Sequence, residues 1–125
     1  MYTLYRAFFK KEGLIRDILY INTMTNTATF KDRNGDLDTT NVKNIIILLN
    51  SHFKDEKYQQ IFADDIVKYK GEYCAVKKID NEWFLIDIRQ KYKISMKKIC
   101  ETGGRIANCV LVGNVHLEKA KPTLS

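Results

Sequence analysis

The stretch from Asp65 to Ile88, DIVKYKGEYCAVKKIDNEWFLIDI, decides how this chain is read. Lys70-Gly71 and Asp80-Asn81 are turn pairs. The runs they separate, Asp65 to Tyr69, Glu72 to Ile79 and Glu82 to Ile88, are rich in β-branched and aromatic residues. Strand, turn, strand, turn, strand is an antiparallel meander. Phe84, Ile86 and Ile88 share one side of the third run, which is read as its core face, so that Trp83 on the other side becomes a candidate for exposure.

Working outward, Tyr2 to Phe9 is aromatic-rich and reads as a strand ended by Lys10, Lys11, Glu12 and Gly13. Leu14 to Asn22 carries a helical spacing at 14, 15, 18 and 19, yet its β-branched and aromatic content favours a strand. Thr27 to Lys31 alternates and runs into Asn34-Gly35, a pair that accepts positive φ cheaply and signals a hairpin. Val42 to Leu49 fits either a short helix capped by Asp38, Thr39, Thr40 or Asn41, or a buried strand with three isoleucines. Tyr92 to Cys100 is equally ambiguous. Gly103-Gly104 marks a turn, Ala107 to Leu117 a last strand, and 118–125 a tail. The fold expected is α+β and mainly antiparallel β: one domain over 1–125, with an N-terminal β-rich layer (1–52) and a small curled sheet or barrel-like meander (53–117).

The chain has 125 residues, 45% apolar and 29% charged, the composition of one globular domain able to bury a core without staples. Cys74, Cys100 and Cys109 are odd in number and form no CxxC pair, which argues for reduced thiols in the cytoplasm and against structural zinc. No stretch is long and apolar enough to span a bilayer, and Lys10 and Lys11 interrupt the only early apolar segment, so neither a membrane nor a signal peptide is expected. Charge is uneven: residues 1–65 carry nine basic and nine acidic side chains, residues 66–125 twelve against six, and the net +6 lies wholly in the second half.

The run from Phe53 to Val67, FKDEKYQQIFADDIV, resembles the central signature of the YopX family of phage and prophage proteins. Lys54, Asp55, Ile61, Asp65, Ile66 and Val67 keep the pattern, and Phe62 stands for its tyrosine. Leu111-Val112-Gly113-Asn114-Val115 is similar to the family's closing segment, and Tyr5-Arg6-Ala7 to an amino-terminal one. Tyr58 occupies the place of a turn glycine, Ala63 and Asp64 replace a glutamate and a glycine, and His116-Leu117-Glu118 departs from the usual ending. The resemblance implies a largely β accessory protein of a phage or prophage in a bacterial cell, from a family with no established enzymatic activity.

Without the family, Asp65 before a β-branched pair suits a carboxylate that accepts backbone amides, and Gly113-Asn114 within a strand suggests a bulge or a close crossing. Catalysis is disfavoured. His52 and His116 stand far apart without acidic residues at ligand spacing, the serines lie in no nucleophile elbow, and there is no phosphate-binding glycine motif. No cofactor, metal or small-molecule substrate is evident. Gly103-Gly104-Arg105 is the one weak phosphate-binding candidate, more simply a turn. Nucleic-acid binding has more support: Tyr69, Tyr73, Trp83 and Tyr92 are interleaved with cations, and small β domains bind single strands through a basic groove with stacking rings. The candidate contacts are Lys68, Lys70, Lys77, Lys78, Trp83, Arg89, Lys91, Lys93, Lys97, Lys98 and Arg105. The alternative is a protein-binding factor that engages a host or phage protein or forms a homo-oligomer.

Overall fold

The computed structural model describes residues 3–120, and the chain divides into two compact units, Met1–Leu49 and Asn50–Ser125. The division between the units falls at 49/50, three residues before the layer boundary read from the sequence at 52/53.

In unit 1 the strands β1 (Tyr5–Phe9), β2 (Leu14–Asn22), β3 (Thr27–Lys31), β4 (Leu37–Asn41) and the first part of β5 (Ile45–Lys54) form an antiparallel sheet in the order β4-β3-β2-β1-β5. The β3–β4 hairpin turns through Asn34-Gly35, and it is longer than the pair alone requires. Gly35 takes φ +84°, and the Asp32 carboxylate accepts the amides of Asn34 and Asp36 at 2.8 and 3.0 Å. Leu14 to Asn22 is a strand, with an irregularity between Ile18 and Tyr20. Val42–Asn44 is a single 3₁₀ turn capped by the Asn41 side chain, after which the isoleucine run is strand. Ala7, Phe9, Ile18, Ala28, Phe30 and Ile45 form the unit's core, with the Phe9 and Phe30 rings edge to face at 4.8 Å.

Unit 2 holds the rest of β5 with β6 (Gln60–Phe62), then β7 (Asp65–Tyr69), β8 (Glu72–Ile79), β9 (Glu82–Asp87), β10 (Lys93–Ser95), the one-turn helix α1 (Met96–Ile99), β11 (Cys109–Asn114) and α2 (Val115–Ala120). The meander is present, and its sheet is open rather than barrel-like: the order β10-β9-β8-β7-β11 leaves β10 and β11 as unjoined edges. Both turn pairs sit in the left-handed region (Lys70 +49°, Gly71 +86°, Asp80 +51°, Asn81 +64°), the conformation whose twist matches two-residue hairpins. Tyr92 to Cys100 is neither all strand nor all helix, since β10 gives way to α1 at Met96. The last strand stops at Asn114 rather than Leu117, because the Asn114 side chain accepts the His116 amide and starts α2 over part of the expected tail. Residues 121–125 of that tail lie outside the described residues.

The core of unit 2 gathers Ile61, Val67, Tyr69, Cys74, Val76, Leu85, Met96, Ile106 and Cys109, with Trp83 and Ile94 packed against it. This corrects the face assigned to β9. Cross-strand pairing sets Val76 against Leu85 and Cys74 against Asp87, so Leu85 is buried and Ile88 is 60% exposed. Asp87 tolerates burial because its carboxylate accepts the Lys91 and Tyr92 amides.

Two carboxylates tie distant parts of the unit. Asp55, fully buried, accepts the amides of Lys57 and Gln59 at 2.9 Å each and of Leu111 at 3.0 Å. Asp65 accepts the Phe62 amide at 2.7 Å and the buried Asn114 side-chain amide at 3.0 Å, beside a bulge between Leu111 and Gly113. Tyr58 (φ +64°) and Asp64 (φ +65°) are left-handed at the two positions where the resembled signature carries glycine.

Candidate nucleic-acid interface

Pairing across the meander also fixes what lies opposite the core. One row runs Ile66, Ala75, Ile86, Lys93; another places Lys68 beside Tyr73; a third places Lys77 beside Phe84. Ile88 joins the second row, since its amide donates to the Tyr73 carbonyl at 3.0 Å. This face therefore alternates cations with apolar and aromatic groups. The Lys68 ammonium stands 5.6 Å from the centre of the Tyr73 ring, which is 47% exposed, and that of Lys93 stands 4.8 Å from the Phe84 ring. Ala75, Lys77, Ile86, Ile88, Tyr92 and Lys93 line an open groove of about 790 Å³ here.

The eleven candidate contacts do not all converge. Lys68, Lys77 and Lys93 share the open face, and Arg89 and Lys91 occupy the β9–β10 turn, whose Gln90 and Tyr92 line the groove. Lys78 and Trp83 form a cross-strand pair on the core side, the amine 6.0 Å from the ring centre, because they share alternation with Val76 and Leu85. Lys70 lies in the β7–β8 turn over the buried Tyr69 ring, and Lys97 and Lys98 are exposed on α1. Arg105 is engaged by Glu101 at 2.7 Å and donates to the Glu56 carbonyl at 3.0 Å. Gly104 makes a close approach instead of a phosphate loop: a Cβ there would lie 2.9 Å from the His52 carbonyl oxygen. Residue types pointed to Tyr73 as a stacking ring but put Phe84 and Ile88 on the core face. The usable signal was turn length, since two-residue turns at 70–71 and 80–81 dictate which side chains stand opposite one another.

At the end of this face, Asp64 bridges Lys77 and His116. Lys77 Nζ donates to Oδ1, and His116 Nε2 lies 2.8 Å from Oδ2. Burial raises the Asp64 carboxyl, but hydrogen bonds and charge from Lys77 and His116 outweigh it and hold the group below its usual 3.8. A depressed carboxyl contributes stability that is complete above the unfolded value and disappears as pH falls through the folded one. Wild type is thus expected to exceed Lys77→Met by about 0.5–1 kcal/mol at neutral pH, with the margin closing below pH 3.8. Urea titrations of both proteins across that range would reveal a margin independent of pH if the pair were inert.

The three cysteines are free thiols, and burial drives Cys109 up to about 12, far from nucleophilic. Among the described residues no three His, Cys, Asp or Glu side chains are placed to hold a metal ion, and no helix is long and apolar enough to cross a membrane. Compared with known proteins, the sequence matches no family model and no curated protein.

Proposed function

We propose that unit 2 binds single-stranded nucleic acid on the open face of its five-stranded sheet, as a non-enzymatic module. The observation that carries this reading is the pairing of rings with lysines on one face, Lys68 with the exposed Tyr73 and Lys93 with the half-buried Phe84. Bases stack on Tyr73 and lie against Phe84 and Ile88, while Lys68 and Lys93 meet phosphates, with Arg89 and Lys91 at the margin. Lys77 contributes less, because Asp64 already neutralises part of its charge. The left-handed backbone at Tyr58 and Asp64, where the YopX signature has glycine, supports the companion reading of a phage or prophage accessory protein.

Stacking contributes about 1–3 kcal/mol per base, and each phosphate met on a single strand adds about −0.7 to the logarithmic salt slope. The two phosphate contacts of Lys68 and Lys93 give a slope of about −1.4. Anisotropy titrations of a labelled oligothymidylate are expected to give that slope, with Tyr73→Ala weakening binding by about fivefold to a hundredfold. Lys93→Gln should flatten the slope by about 0.7. Absence of binding at low salt would remove the proposal.

A protein partner is the second reading, favoured by Ile86 and the 60% exposed Ile88 on the same face. It predicts salt-insensitive association that Ile88→Glu abolishes.

A further inference from the structure

Unit 1 lies within the half of the sequence that is electrically neutral. The core side of its sheet continues into a pocket of about 580 Å³, a size that suits a small ligand. Arg16 is part of its lining. Strand pairing sets it opposite Ala7, whose methyl leaves room above the sheet, and its guanidinium lies 5.8 Å from the centres of both the Phe9 and the Phe30 ring. It is half-buried, and among the described residues it has neither a carboxylate within 4.0 Å nor a hydrogen-bonding side chain.

A guanidinium held near rings rather than by a carboxylate keeps its donors available, and they match two oxygens of an oxyanion. The surroundings agree with an anion at this spot. Lys10 is held in place by donation to the Lys43 carbonyl at 3.0 Å, and Lys11 and Lys43 add exposed ammonium groups to the same lining. Glu12, Asp32, Asp38 and Thr40 share the pocket, so its lining carries three carboxylates beside four cations. The acidic groups discourage a long polyanion and suit the hydroxyl or amino groups of a small molecule.

We infer that this pocket binds a small phosphorylated molecule, its phosphate seated on Arg16 and flanked by Lys10, Lys11 and Lys43, its hydroxyl or amino groups directed at Asp38 and Thr40. The site is independent of the nucleic-acid face on unit 2.

Calorimetry on the full chain with adenosine monophosphate as the probe tests it. Saturable one-to-one binding is expected, weakened about tenfold or more by Arg16→Gln and unchanged by Lys31→Gln, which lies outside the pocket. Should Arg16→Gln fail to fold, the exposed double variant Lys11→Gln/Lys43→Gln supplies the answer, and undiminished affinity there overturns the inference. No saturable heat in the millimolar range overturns it as well. Succinate binding as tightly as the nucleotide would overturn the phosphate assignment, and loss of nucleotide binding in Tyr73→Ala would overturn the location.

Discussion

Replacing Asp55 by alanine is expected to cost unit 2 about 3–5 kcal/mol of unfolding free energy, enough to bring a domain of ordinary stability close to its threshold. The carboxylate is fully buried and accepts three backbone amides, from Lys57, Gln59 and Leu111. Truncation leaves three donors facing a small void that offers no acceptor, each costing about 1–3 kcal/mol when water cannot reach it. An asparagine in place of the acid keeps one oxygen and sets an NH₂ group against another donor, so Asp55→Asn should fall between wild type and the alanine variant. Trp83, the chain's one tryptophan, belongs to unit 2 and reports its unfolding by fluorescence in urea. A loss under about 0.5 kcal/mol for Asp55→Ala, the size of an ordinary surface change, would mean that water or rearranged backbone satisfies those amides.

Truncations on the two sides of β9 should differ just as sharply. Leu85→Ala removes a fully buried side chain from the middle of the core and should cost about 2–5 kcal/mol. Ile88→Ala, at a residue 60% exposed, should change stability by no more than about 0.5 kcal/mol. The reverse ranking, a cheap Leu85→Ala and a costly Ile88→Ala, would mean that the strand is turned over. The same pair separates stability from function, because Ile88→Ala should disturb binding on the open face while leaving the unfolding curve in place.

The opposite ranking is what alternation in the sequence suggests, and the reason it misleads is physical. Trp83 and Leu85 on one side of β9 face Phe84, Ile86 and Ile88 on the other, so hydrophobicity does not choose between them. The choice is made by β8, whose Cys74 and Val76 offer a dry surface while Lys77 on the reverse does not, and by the turn that sets the pairing. Turn chemistry was legible throughout: Asn34-Gly35, Lys70-Gly71 and Asp80-Asn81 all carry the positive φ their composition suggests, at Gly35 in the first pair and at both residues of the others. Less legible was anything that depends on partners remote in the chain. Asp55 and Leu111 are 56 residues apart, and nothing local announces that one carboxylate serves both. Similarly, Arg16 reads as a charge in a neutral half until pairing sets it opposite an alanine and between two rings. Of the eleven basic and aromatic candidates, Lys68, Lys77 and Lys93 at alternate positions of β7, β8 and β10 came together with Arg89 and Lys91 of the next turn beside them, while Lys70, Lys97, Lys98 and Arg105 were dispersed by the connections that carry them and Lys78 and Trp83 fell on the core side.

The turn around Asp55 has a second role besides holding itself closed. Glu56 donates its amide to the Cys109 carbonyl at 2.8 Å, and Asp55 takes the amide of Leu111, so two polar groups on the side of β11 that no strand covers are already occupied. Sheet margins left bare invite strands from neighbouring molecules, and here a loop of five residues acts as the stopper. Loss of that stopper would make the partly folded chain self-adhesive, so that its penalty would surface in a crowded cell as precipitate before it surfaced as unfolded monomer.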